Sequence, residues 1–439
     1  MSGTAKRRVA ITGIGLVTPV GNDVATTWNA LLAGRSGGAE ITLFDASGFP
    51  VRIAAEVKDF DDSAVPVPRR ILKLANRSHR FALAAAEQAF VDAGIRPTEE
   101  TATRWGCAVG AAMMTSDFVD LSATHDHSAP TGDIDYAAML SDSAANDPMA
   151  FCRSQATAGV ALLTRQHNIC GYATSVHTAC ASGGQALGTA LKLIRRGAVD
   201  HALAGGFDSM ISPVGISGFC LLSALSPDNE TPQRASRPFD LTRNGFLLGE
   251  GAGFVVLEEW EAARRRGARI YAELAGDGNS LSSYRITDSP PDGDGPIQAM
   301  RAALADAGAK PEDVDYLNAH GTSTPMNDRS ESAATHAVFG GYTPQLSVSS
   351  TKSTMGHLIS AAGAVEVAVC ALAIHHGAMP INANLVEHDP DCDLNLIIGT
   401  PRRKHVRVTL SNSFGFGGSN SCVVLRNPVE VDGVGAAAH

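Results

Sequence analysis

Residues 175–197, SVHTACASGGQALGTALKLIRRG, read as a strand, a sharp turn and a long small-residue helix closed by Gly197. Residues 347–377, SVSSTKSTMGHLISAAGAVEVAVCALAIHHG, read the same way, a few residues longer and closed by Gly377. A second echo lies upstream of each. Residues 82–95 and 297–308 have helical periodicity and reach Asp-Ala-Gly; each is followed within three residues by Pro and an acidic cluster, then by an apolar strand at 107–113 and at 314–320. Strand and helix units repeated in the same order predict a duplicated α/β core with helices covering its sheets. The halves meet near residue 265, which gives an N-terminal half over 1–265, a C-terminal half over 266–428 and a frayed tail over 429–439. The runs HALAGGFDSM and GAGFVVLEE fit strands buried on both faces. The Pro-rich segment 226–246 fits a long covering loop.

Composition narrows the function. Of the 439 residues 44% are apolar and 18% charged, which excludes a disordered chain. A formal charge of −10 argues against nucleic acid as a partner. The longest apolar run, 358–374, is broken by Glu366 and reads as a buried helix rather than a membrane span. The N-terminus, MSGTAKRR before VAITGIGLVTPVG, lacks the apolar core and cleavage end of a signal peptide, so the expected location is cytoplasmic. Eight scattered cysteines without a CxxC pair speak against a disulfide framework and a structural zinc site. Residues 105–152 carry seven aspartates and neither Lys nor Arg; they suit either a solvated excursion or a region that lines a pocket or meets a partner.

One cysteine differs from the rest. Cys180 falls in the turn before a long helix, where the helix dipole and unpaired N–H groups favour thiolate; the competing reading is a small buried residue packing a helix start. A thiol nucleophile needs a base and donors for the developing oxyanion. His320, closing VDYLNAH, and His357, in a Thr-Met-Gly-His turn, sit at matching strand ends, which in parallel α/β folds face the ligand crevice. Lys352 and Glu331 could form a buried ion pair that sets histidine protonation. In SNSFGFGGSN, residues 411–420, Phe414 and Phe416 among glycines suggest backbone close to a ligand and an aromatic that can swing. The early Gly13-Ile14-Gly15 fails as a dinucleotide motif because Thr18 stands where the third Gly or Ala belongs, and no GxxxxGK[ST] or HExxH occurs.

Together, TACASGG around Cys180, NAHGTST around His320, STKSTMGH with Lys352 and His357, GFGGSN, SRPFD and RNGFLLGEGAG resemble the elongating β-ketoacyl-ACP synthases of the thiolase superfamily, over nearly the whole chain. The resemblance implies an α/β, thiolase-like duplicated five-layer αβαβα fold and a dimer. It implies that Cys180 takes an acyl chain from acyl carrier protein and that His320 and His357 assist decarboxylation of malonyl-ACP. The resulting enolate then condenses with the Cys180 thioester. The N–H groups of Cys180 and Phe416 would form the oxyanion hole, with Phe416 also the gate. Thr322 and Thr324 would hold the phosphopantetheine arm, Phe414 would contact substrate, and Met113 would limit acyl length. No metal or redox cofactor is implied.

An acidic carrier protein calls for a basic patch on this acidic chain, and Arg69, Arg70, Lys73, Arg77 and Arg80 have a spacing that shares one side of a helix. The same residues fit an ordinary solvated face. The pathway is either fatty acid synthesis or a type II polyketide or polyene route, as a homodimer or with a chain-length-factor-like homologue. A non-catalytic chain-length-factor-like subunit is the alternative function, disfavoured because such subunits lack the nucleophile.

Overall fold

The computed structural model describes residues 6–65, 67–111, 116–128, 135, 137 and 147–430. Met113, residues 112–115, 129–134, 136 and 138–146 of the acidic segment, and residues 431–439 of the tail lie outside them. Ten strands form one mixed sheet: β1 (Val9–Val17), β2 (Trp105–Gly110), β3 (Ala173–Val176), β4 (His201–Asp208), β5 (Gly251–Glu259), β6 (Ala272–Leu281), β7 (Val314–Asn318), β8 (Ser347–Ser349), β9 (Val408–Phe414) and β10 (Ser419–Arg426). Their order is β8-β7-β9-β10-β6-β1-β5-β4-β2-β3. In the first half β3, β2 and β4 run parallel while β5 and β1 follow antiparallel. In the second half β8, β7 and β9 run parallel while β10 and β6 follow antiparallel. Each strand of the first half thus has its counterpart five strands later. Only Ala10–Glu273 and Ile11–Ala272 pair across the join, so the sheet is two five-stranded units seamed at β1 and β6.

The helices repeat as well. Helix α1 (Arg77–Ala93) covers β1 and β5, and its counterpart α3 (Asp294–Ala307) covers β6 and β10. Helices α2 (Ser182–Arg195) and α5 (Ala362–His376) pack against each other and against strands of both halves. The layers are therefore outer helix, sheet, paired inner helices, sheet, outer helix, the αβαβα arrangement of a thiolase-like fold. Being inside, α5 is apolar all round. The segment Ile359–His376 is long and apolar enough to cross a membrane, yet 89% of it is buried within the protein.

The inner helices cross at their first turns. A Cβ on Gly183 would lie 2.7 Å from the Ala364 nitrogen, and one on Gly363 would lie 2.7 Å from the Gly184 nitrogen. Backbone here meets backbone, and neither helix can retreat without opening a sheet.

The basic stretch 69–80 is not one helical face. Arg69–Leu72 forms a single helical turn, and α1 begins afresh at Arg77 because Asn76 caps it, accepting from the His79 N–H at 2.9 Å. Arg77 turns inward to a bidentate bond with buried Glu250 at 2.6 and 2.9 Å, and Arg80 pairs with Asp62. Arg69, Arg70 and Lys73 remain exposed.

Gly183→Val or Gly363→Val should cost at least about 3 kcal/mol, since the added atoms meet main chain that no rotamer change can move. Urea unfolding measures this, and a midpoint unchanged from wild type for both variants would contradict the crossing.

Candidate active site

The Cys180 turn is built locally. The Thr178 N–H donates to Ser182 Oγ at 2.8 Å, and that hydroxyl donates to the Ala179 carbonyl at 2.7 Å. Ala179 takes φ +49°, unusual for a residue with a Cβ, and Ala179–Ala181 form a single 3-10 turn before α2. Cys180 is left 6% exposed. The Gly-rich segment after β9 lies directly on this turn: a Cβ on Gly415 would come 2.6 Å from the Thr178 carbonyl and 3.1 Å from the Cys180 nitrogen. This close approach brings the backbone N–H groups of Phe416 and Cys180 to the sulfur.

The sulfur is not a standing thiolate, as the helix start alone suggested. Burial pushes the thiol up to about 12, Lys352's charge and the two N–H groups oppose it, and buried Asp208 adds to it. A thiol held up in this way passes its proton to a neighbouring base as it attacks.

Two candidate bases adjoin it. The Cys180 sulfur and a ring nitrogen of each of His320 and His357 lie within 4.8 Å of one another, and the two rings stand 5.3 Å apart, nearly perpendicular. His320 follows β7. Its N–H and that of Gly321 each donate to one Glu331 oxygen at 2.8 Å, and Asn412 Nδ2 donates to Glu331 at 2.9 Å. Glu331 thus clamps the His320 turn from helix α4 (Pro325–Phe339). It does not pair with Lys352.

His357 is tied by its own backbone: its N–H donates to Leu247 at 2.8 Å and its carbonyl accepts from Gly249 at 2.9 Å. Its ring Nδ1 accepts from the Ile359 N–H at 3.2 Å. That contact assigns the neutral tautomer, with the proton on Nε2. Ile359 itself stands at φ +47°, a conformation that costs a β-branched residue about 1–3 kcal/mol.

Lys352 pairs instead with Glu366 of α5; both are fully buried. In the sequence Glu366 stands out only as a break in an apolar run. A carboxylate inside such a run needs a partner, and that signal pointed to Lys352. Burial pushes Glu366 up to about 7 against the lysine's charge. Burial also drives both histidines well below 6.5, reinforced by Lys352 and, at His320, by His357. Both imidazoles are neutral at pH 7. Because folding lowers their affinity for protons, they favour the folded state above about pH 6.5, and this contribution falls away as pH drops through their depressed values.

The cavity over the triad is lined by Thr322, Thr324, Phe414 and Phe416, as anticipated, and also by Phe219 and Phe246, which sequence alone did not single out. The hydroxyls of Thr322 and Thr324 bond each other at 2.9 Å. Phe246 stands against His357 and Phe414 against His320, each by an aromatic edge. The triad atoms are also close enough to share a metal ion. The Lys352 ammonium buried nearby would repel a dication there.

A thiol at a helix start, two N–H groups beside it and two neutral imidazoles form a set suited to acyl transfer onto sulfur and to stabilising an enolate. Residues 6–263 match the β-ketoacyl synthase N-terminal domain and residues 271–386 match the β-ketoacyl synthase C-terminal domain. The chain belongs to the β-ketoacyl synthase family and is an acyltransferase. It is 40% identical to a 3-oxoacyl-(acyl-carrier-protein) synthase 2 of Coxiella burnetii, covering 96% of this chain and 98% of that one. To the tetracenomycin polyketide synthase ketoacyl synthase alpha subunit of Streptomyces glaucescens it is 38% identical, covering 98% and 99%. Among solved structures, the ishigamide ketosynthase/chain length factor superposes with a TM-score of 0.86 at 36% identity, covering 96% of this chain and all of that one. A type II polyketide ketosynthase in complex with its acyl carrier protein gives 0.85 at 32%, covering 96% and 99%.

Two outcomes follow from this geometry. Lys352→Met removes the charge that depresses both imidazoles, so the acid limb of the pH profile for malonyl decarboxylation should move to higher pH; an unmoved limb would contradict the role given to Lys352. Gly415→Ala should slow Cys180 acylation by roughly 100-fold or more, measured by intact mass against time, because its methyl crowds an oxyanion donor.

Proposed function

We propose that the chain catalyses decarboxylative Claisen condensation of an acyl thioester on Cys180 with malonyl-ACP. The observation carrying this is the meeting of the Cys180 sulfur with two neutral imidazoles, beside two convergent N–H groups. In the first step the sulfur attacks the acyl carbonyl and its proton passes through an imidazole to the departing pantetheine thiol as that C–S bond breaks. The N–H groups of Cys180 and Phe416 hold the tetrahedral oxygen. In the second step the malonyl C–C bond breaks, CO2 leaves, and the electron pair becomes an enolate whose oxygen is held by imidazole N–H, from Nε2 of His357 and from His320. In the third step the enolate carbon attacks the Cys180 thioester. A C–C bond forms, the Cys180 C–S bond breaks, the departing thiolate takes a proton from solvent water, and the product is a β-ketoacyl-ACP. Atoms and electrons balance without a metal or redox cofactor.

Thr322 and Thr324 at the cavity wall suit the phosphopantetheine arm, and Phe416 suits a gate, being half-buried with Gly417 and Gly418 at positive φ behind it. The carrier-protein complex of a related ketosynthase supports acyl carrier protein as partner. The related ketosynthase/chain length factor supports a heterodimer with such a homologue, and a homodimer is the other assembly open to this chain. The exposed Arg69, Arg70 and Lys73 are a fitting contact for an acidic carrier; Arg77, committed to Glu250, is not. The relatives suit a cytoplasmic enzyme of fatty acid or type II polyketide or polyene synthesis.

Incubation with malonyl-ACP and acyl-ACPs of graded length and unsaturation, read by mass spectrometry of Cys180 and of the ACP products, tests this. Cys180→Ala should form no condensed product while still decarboxylating malonyl-ACP, since that step uses only the imidazoles. Condensed product from Cys180→Ala would overturn the assignment.

A further inference from the structure

The two halves meet reciprocally at the site. Strand β9 of the second half ends on the turn of the first, where Gly415 abuts Thr178 and Cys180. Strand β4 of the first half ends on the turn of the second, where a Cβ on Gly206 would come within 2.7 Å of the Ser360 carbonyl. The turns match residue for residue. His177, Ala179 and Cys180 in one answer to His357, Ile359 and Ser360 in the other. Each is a single 3-10 turn, Ala179–Ala181 and Ile359–Ala361, opening at φ +49° and +47°.

Their N–H groups are used differently. That of Cys180 faces the sulfur as an oxyanion donor. The equivalent N–H, on Ser360, donates at 3.1 Å to Oδ2 of Asp208, a fully buried residue at the end of β4. Asp208 Oδ1 accepts from the Ser209 N–H at 2.9 Å, which fixes the carboxylate's own direction.

The consequence reaches the histidine. The Ser360 N–H belongs to the peptide unit just after Ile359, so anchoring it holds Ile359 left-handed. The Ile359 N–H, in the same 3-10 turn, donates to His357 Nδ1 at 3.2 Å. Were the turn to relax, Nδ1 would lose its donor, and the ring could present a lone pair to the substrate oxygen instead of Nε2–H.

We propose that Asp208 is a positioning residue for His357: by occupying the N–H that corresponds to an oxyanion-hole donor in the first half, it locks the turn that fixes the tautomer of the catalytic imidazole. This rests on the condensation chemistry above. Duplication supplied two anion-ready turns, and a carboxylate from the opposite half converts one of them from binding substrate oxygen to orienting a side chain.

The test compares Asp208→Ala with Asp208→Asn in the full chain. It follows malonyl-ACP decarboxylation, acylation of Cys180 by an acyl thioester, and 15N spectra of labelled histidine. Asp208→Ala should lose roughly 100-fold in decarboxylation kcat, acylate Cys180 at least about as fast as wild type, because the carboxylate that pushes the thiol up is gone, and show His357 as a mixture of neutral tautomers. Asp208→Asn keeps an oxygen for the Ser360 N–H, and should recover most of the rate and the single tautomer. Wild-type decarboxylation in Asp208→Ala overturns the proposal, as does an Asn variant, folded by circular dichroism, that is as impaired as Ala. If the Ala variant does not fold, the Asn variant decides: a single His357 tautomer supports the proposal and a mixture overturns it. Wild-type protein that failed to decarboxylate malonyl-ACP would sink the condensation reading while leaving the tautomer measurement to judge Asp208.

Discussion

Everything in the site hangs on the contact between the first turns of two buried helices. Gly183 and Gly363 let α2 and α5 meet main chain to main chain, and Cys180 lies three residues before one of those glycines and His357 six residues before the other. The separation of nucleophile and imidazole is therefore set by helix packing inside a five-layer core, where side chains interdigitate and little can drift. His320 is brought to the same place by a different route, the turn after β7 that Glu331 holds by two N–H groups.

The second constraint is electrostatic. One buried cation, Lys352, acts on all three reacting groups in the direction the chemistry needs. It reinforces the burial that keeps both imidazoles neutral, hence able to donate to an enolate oxygen, and it pulls the thiol down against the desolvation that pushes it up. Burying an ammonium alone would be costly, and Glu366 on the central helix is the group that makes it tolerable. The pair is better understood as setting protonation than as adding stability.

Duplication explains the arrangement of parts without making the halves equivalent. The two turns share their left-handed residue, their 3-10 turn and their histidine, yet His177 is exposed while His357 is buried in the cavity. What differs is the strand end laid over each turn by the opposite half: glycine main chain over Cys180, a carboxylate over Ser360.

The sequence by itself determined the duplicated α/β architecture, because strand and helix periodicities repeat in the same order, and it singled out Cys180, His320 and His357, because each occupies a strand-to-helix turn that such folds direct at a crevice. It also supplied the glycines that mark close approach after β9. Only the tertiary structure decided that Lys352 pairs with Glu366 rather than Glu331, since that choice depends on how α5 lies beneath the turn and not on separation along the chain. The same holds for Arg77, which periodicity placed on an outer face but which the Asn76 cap and buried Glu250 turn inward. Protonation belonged to the tertiary structure too: the helix start favours thiolate, while desolvation, which no local stretch of residues records, pushes the thiol the other way.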